Sequence, residues 1–210
     1  MAVAIGATII DDPTSPRGIS AAVNAGFENA KPWHEYGAWM GDDDLLEPKT
    51  LAATISALDN NPKAVVAFGH CNYIDDRGRL LFTNKAGKLA PWLMTWGPDL
   101  VPIPGALFRM SAIKEVGKFD TSLKFAMDLD MFLRLRKIGK FVSVGHVVGS
   151  FRWHPDSTTV ANRAPSTFEA KMVKRRYLSS YLLPLAPLWE VPVKIAAHFA
   201  AQRVNKLAQH

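Results

Sequence analysis

The chain has 210 residues, is 48% hydrophobic and carries 25 Lys and Arg against 19 Asp and Glu, a formal charge of +6. That size and apolar content suit one full-sized domain with a tail and give no reason to expect two. The single cysteine, Cys71, excludes an internal disulfide framework and suits a reducing compartment. No run of about 18 apolar residues occurs, which argues against a classical membrane-spanning helix.

In chain order, Met1–Asp12 lacks a basic region before its apolar stretch, so it reads as a strand and not as a secretory signal. Gly18–Ala30 carries Ile19, Ala22, Val23 and Phe27 at helical spacing. Tyr36–Met40 is a brief aromatic and apolar run that predicts a buried strand, ending at Gly41 and the acids Asp42, Asp43 and Asp44. Pro48 suits the first turn of a helix on which Leu51, Ile55 and Leu58 recur, before Asn60, Asn61 and Pro62 stop it. Ala64–Ile74 predicts a strand, Asp75–Gly78 a turn and Leu80–Thr83 the returning strand of a hairpin.

Ala86–Pro104, rich in Trp, Pro and Gly, shows no period and reads as an ordered loop. Ser111–Val116 predicts a short helix closed by Gly117, Asp128–Ile138 a longer one closed by Gly139, and Phe141–Trp153 a strand. There is no internal repeat, and alternating strands and helices argue an α/β or mixed fold.

The charge is concentrated at the carboxyl end. From Lys171 onward Lys171, Lys174, Arg175, Arg176, Lys194, Arg203 and Lys206 stand against Glu190 alone, while residues 1–170 are neutral. These cations surround Leu182, Leu183, Leu185, Leu188, Trp189, Val191, Ile195 and Phe199, a mixture that favours an anionic membrane surface over nucleic acid. The competing reading is an amphipathic helix packed on the domain itself, with Pro184, Pro187 and Pro192 interrupting any long helix.

Three stretches can carry chemistry. Adjacent carboxylates at Asp42–Asp44 repel one another, so a cation or several donors must neutralise them if they are buried. Oxygen ligands suit Mg²⁺ or Mn²⁺, which complete their shell with substrate phosphates; the plain alternative is an exposed acidic turn before Pro48. Asp128 shares a helix side with Met131, Phe132 and Leu135, where desolvation raises proton affinity toward that of a general base. Asp130 faces elsewhere, with Arg134 as an ordinary surface partner, and both acids can equally be helix caps. In Phe151–Ser157, Arg152 and His154 can donate to phosphate oxygens. Arg17-Gly18 can approach a phosphate at the following helix start. His34, His70 and His146 show no metal-ligand spacing.

Four segments in order, RGISAAVNAGFENA, WMGDDDLLEP, IPGALFRMSAIKEVGKFDTSLKFAMDLDMFLRL and FRWHPDSTT, resemble family 2 glycosyltransferases of the GT-A fold, bacterial enzymes that build cell-surface polysaccharides. The resemblance covers roughly Arg17 to Thr159. It implies a Rossmann-related mixed sheet flanked by helices over residues 1–165, followed by a basic helical extension over 166–210. It also implies inverting transfer of a sugar from a nucleotide-diphosphate donor to a glycan or lipid-linked acceptor. On this resemblance Asp43 and Asp44 hold Mg²⁺ or Mn²⁺, Asp42 is a third acid at the diphosphate, and Asp128 is the base. The implied location is cytoplasmic, peripheral on the inner face of the plasma membrane.

Two departures qualify the match. The family commonly has Glu-Asp where this chain has Met127-Asp128. Only Met1–Asp12 stands where the family places a strand, a helix and a second strand, so the sheet is expected to be incomplete on its amino-terminal side. Ile9-Ile10-Asp11-Asp12 then reads as a remnant strand whose acids, Asp11 and Asp12, approach the nucleoside. The alternative function is a non-catalytic remnant or subunit that needs a partner chain or self-association. A metal-dependent phosphoesterase would need further ligands such as paired histidines.

Overall fold

Branched and aromatic residues concentrate in two segments, and these become the two longest strands of one sheet. The structure is a computed structural model and describes residues 7–11, 18–154 and 161–208. In chain order these form α1 (Ile19–Glu28), β1 (Tyr36–Gly37), β2 (Leu45–Leu46), α2 (Thr50–Asp59), β3 (Ala64–Ile74), β4 (Leu80–Asn84) and α3 (Ala90–Leu93). There follow β5 (Leu107–Arg109), α4 (Met110–Val116), α5 (Met127–Ile138), β6 (Lys140–Arg152), α6 (Arg163–Arg176), a 3-10 turn at Ser180–Leu185 and α7 (Pro187–Ala208).

The sheet runs β1-β5-β3-β6-β2, with β4 also paired to β3. β3 and β6 are parallel from Ala64 opposite Lys140 to Ile74 opposite Arg152, and the remaining pairs are antiparallel. This is a mixed α/β sheet with helices on both faces. Val66, Phe68 and Phe108 share a core with Phe132 and Leu133 of α5, while Ala64, Ala67 and Leu107 pack with Leu58 of α2. Register shifts between Ala64 and Val66 and again near His70 curl the central pair. At the second of these a Cβ on Gly69 would lie 2.5 Å from the His146 carbonyl oxygen, so only glycine lets the two backbones approach.

Several expectations change. Residues 7–11 form no strand, and Ile9 is 67% exposed; among the described residues no strand pairs with that backbone. In α1 the expected Val23 and Phe27 pack against the core, but Ile19 is exposed and Ser20, Ala21 and Asn24 are buried. Specific hydrogen bonds outweigh side-chain hydropathy there. Ser20 donates to the Leu123 carbonyl, and Asn24 both donates to the Phe119 carbonyl and accepts from its N–H, at 3.0 and 2.8 Å. In α2 likewise Thr50, Thr54 and Leu58 face inward while Leu51 and Ile55 are exposed, with Thr50 Oγ1 donating to the Val148 carbonyl.

The segment 36–40 pairs over only two residues, so no long buried strand delivers the acids. Gly139 follows α5 in extended conformation, not as a left-handed cap; its Cβ would sit 2.3 Å from Val65 Cγ1, so close packing demands glycine. The loop after β4 is ordered, holds the single-turn α3, and buries Ala86, Met94 and Val101. At the carboxyl end α7 runs 22 residues with Pro192 inside and Pro187 at its first position, so proline does not interrupt it.

Candidate active site

Parallel β3 and β6 end side by side, and α5, which leads back into β6, begins at the same end. Open α/β sheets place their ligands at such strand ends.

The acid turn lies between β1 and β2. Asp44 is 9% exposed, and its carboxylate accepts the Arg152 N–H at 3.0 Å. Burial pushes its pKa up to about 6, with the Asp43 charge adding to the rise against the Arg152 hydrogen bond. Asp43 Oδ2 lies 2.9 Å from His154 Nε2. A Cβ on Gly41 would be 2.7 Å from Asp43 Oδ1 and 3.2 Å from Asp44 Oδ2, so the two carboxylates converge over that glycine. Asp42 is exposed in the turn.

Arg152 braces the acid turn. Its guanidinium donates to the carbonyls of Asp43, Asp75 and Asp76 at 2.9–3.0 Å, clamping the acid turn to the β3–β4 hairpin. The hairpin turn is itself anchored by the buried Asp75 carboxylate, which accepts from the N–H groups of Arg77 and Arg79. Thus Arg152 and His154 position Asp43 and Asp44. Asp11 is exposed at 7–11, and Asp12 and Arg17 lie outside the described residues.

Asp128 stands in the first turn of α5, its Oδ1 accepting the Leu129 N–H at 2.7 Å. It is half-buried; desolvation raises its pKa, and the Glu169 charge adds to the rise. Asp130, by contrast, is buried and not at the surface: it pairs with Arg134 at 2.9 Å and accepts from the Tyr177 hydroxyl at 2.7 Å. The alternation of the helix separates an acid exposed to the cleft from one spent on structure.

Sequence reasoning missed three members of the site. Tyr73, stacked on Phe82 at 4.3 Å, has its pKa raised by burial and by the charges of Cys71, Asp99, Asp44 and Asp128. Asp99, from the Trp-rich loop, is raised by its dense surroundings and then by Asp128. Lys174 of α6 donates to the Gly97 carbonyl, its own pKa lowered by burial and partly restored by Asp99 and Glu190. A loop without periodicity gives no local signal for Asp99, and no motif ties Lys174 to it.

Among the described residues no three His, Cys, Asp or Glu side chains form a metal-binding group. Two converging carboxylates have the chemistry to suit a Mg²⁺-type ion that takes its other ligands from water and phosphate.

The family model that describes glycosyl transferase family 2 matches residues 6–117, more than half of the chain and including the acid turn. Asp128 lies beyond that match. An uncharacterized glycosyltransferase of Rickettsia typhi is 28% identical over 155 residues, 68% of this chain and 46% of the relative; one of Rickettsia prowazekii is 26% identical with the same coverage. The chain thus spans about half the length of these curated relatives. Among solved structures, S. aureus TarS 1–349 is 13% identical at a TM-score of 0.48, covering 79% of this chain and 51% of that one.

Proposed function

The chain belongs to glycosyl transferase family 2, and on that premise we propose that it transfers a sugar from a nucleotide-diphosphate donor to a glycan or lipid-linked acceptor with inversion at the anomeric carbon. The observation that supports this reading is the convergence of the Asp43 and Asp44 carboxylates over Gly41, braced from the end of β6 by Arg152 and His154. Asp43 and Asp44 are the residues that would hold Mg²⁺ or Mn²⁺, which when bound neutralises charge on the diphosphate. Arg152 and His154 fix the two carboxylates for that role. Asp128 takes the proton of the acceptor hydroxyl as its oxygen bonds to the anomeric carbon and the bond to the diphosphate oxygen breaks. A single in-line displacement inverts the centre.

The proposal extends to an anionic membrane surface at which lipid-linked acceptors are presented. α7 turns Leu188, Val191, Ile195 and Phe199 outward, each more than half exposed. Among the described residues Lys194, Arg203 and Lys206 on this helix are without ion pairs, and its acid, Glu190, pairs inward with Lys171 and Arg175. An apolar stripe flanked by cations and free of exposed acid suits an anionic interface. No described helix is long and apolar enough to cross a membrane.

The test is calorimetric titration of the 210-residue chain with UDP and with GDP, each with and without Mn²⁺. Cation-dependent binding is expected. A folded sample that binds neither nucleotide in Mn²⁺ would overturn the donor site and favour a chain that needs a partner.

A further inference from the structure

The start of α5 lacks its own cap: Ala126 occupies the cap position and makes no side-chain hydrogen bond there. A helix start of this kind leaves backbone N–H groups to be satisfied from elsewhere. Within the first turn Asp128 Oδ1 takes the Leu129 N–H itself, and the amides that lead into the helix are taken from α6. Glu169 accepts the N–H of Lys124 on Oε1 at 3.0 Å, and those of Phe125 and Ala126 on Oε2 at 2.6 and 2.7 Å. Three consecutive amides thus close on one carboxylate immediately before Met127 and Asp128. The side chain of Met127 is buried and takes the Ser20 hydroxyl on its sulfur at 3.2 Å, so it faces α1 and not the cleft.

We propose that Glu169 is the positioning residue for Asp128, holding the entry to α5 in the one conformation that presents the Asp128 carboxylate to the cleft. The proposal rests on the reading of Asp128 as base given above. The helix that bears Glu169 is itself held in place. Val173 is fully buried in the main core, Tyr177 donates to Asp130, Arg176 pairs with Asp120 at 3.1 Å, and Lys174 reaches Gly97. Segment 163–177 is therefore part of the catalytic unit, tied to both ends of the chain's active-site loops.

Glu169 also acts through charge. The groups that face Asp128 are Glu169 from α6, Asp99 from the Trp-rich loop and the Tyr73 phenol from β3, with Lys174 opposite Asp99. In this set Glu169 is the acid that raises the proton affinity of Asp128 while its own charge is spread over three amide donors.

The experiment follows two readouts in the full chain, the pH titration of the Asp128 carboxyl carbon by NMR and the hydrogen exchange of amides 124–126. In Glu169→Gln the Asp128 midpoint should fall, and exchange at 124–126 should quicken by about tenfold or more, the effect of losing one charge-assisted hydrogen bond. Exchange at Leu133 and Val173 should be unchanged. If Glu169→Gln does not fold, Glu169→Asp keeps the charge and loses the reach, so exchange should quicken while the midpoint stays raised. An unmoved midpoint with unmoved exchange overturns the proposal. Full turnover of Asp128→Asn would instead sink the base reading, and because neither readout uses turnover the two failures are distinguishable.

Discussion

Asp44→Asn should stabilise the metal-free protein, and by an amount that depends on pH. The Asp44 pKa is about 6 in the folded chain against an ordinary 3.8. A folded value above the unfolded one means that the folded state keeps a proton that the unfolded state releases between these two pH values. Stability is therefore greatest below the lower value and declines as pH rises through about 6. About two pH units at about 1.4 kcal/mol each amount to about 3 kcal/mol lost by neutral pH. Asn keeps an oxygen to accept the Arg152 N–H and cannot ionise. For a chain of this length the gain corresponds to a Tm about 6–12 °C higher. Thermal unfolding by circular dichroism in EDTA, from pH 4 to pH 8, reads the difference between variant and wild type. That difference should be near zero at pH 4 and full by pH 7.5, and addition of Mn²⁺ with UDP should close it by stabilising only the wild type. A difference that is equally large at pH 4 and pH 8 would refute the assignment, since a change in packing has no such pH dependence.

Asp128→Asn should leave nucleotide titration unchanged and cut transfer by about 10²–10⁴-fold, as loss of a general base does; retained turnover in a donor-consumption assay would place the base elsewhere. Phe199→Glu together with Ile195→Glu should leave the fold intact and reduce sedimentation with phosphatidylserine vesicles, with an unaltered partition counting against the α7 surface. Phe132→Ala removes a fully buried ring packed on Phe108 at a centroid distance of 5.7 Å, and should cost about 3–5 kcal/mol in denaturant unfolding; a loss below about 1 kcal/mol would mean that α5 does not pack on the sheet as described.

The elements whose local pattern and tertiary role coincide were legible in advance. β3 was expected at Ala64–Ile74 and forms there, because a strand buried along most of its length needs an unbroken apolar run and the turn residues that follow can do little else. α4 and α5 also stand within a residue of their expected limits. The faces of α1 and α2 were legible only in part from hydropathy, which places Val23, Phe27 and Leu58 correctly. In each, small polar residues point inward because a particular carbonyl or amide of a distant segment awaits them, as Asn24 does at Phe119 and Thr50 at Val148. A periodicity argument has no access to such partners, and ranks Ile19 and Leu51 inside when both are exposed.

The same distinction governs the site. Asp43, Asp44 and Asp128 were identifiable as runs or positions in their own segments, whereas what surrounds them depends on contacts between segments far apart in sequence. Arg152 shows what residue type alone leaves out: its Nε and Nη1 donate to three backbone carbonyls and brace the acid turn, a role that only contacts between distant segments reveal. The basic carboxyl end divides in the same way. Lys171, Arg175 and Arg176 have carboxylate partners and Lys174 a backbone one, so these four cations serve the fold. Lys194, Arg203 and Lys206 of α7 then supply the charge of the proposed membrane face, beside the apolar side chains that helix leaves exposed. The basic tail thus divides into cations paired within the fold and cations left exposed on α7.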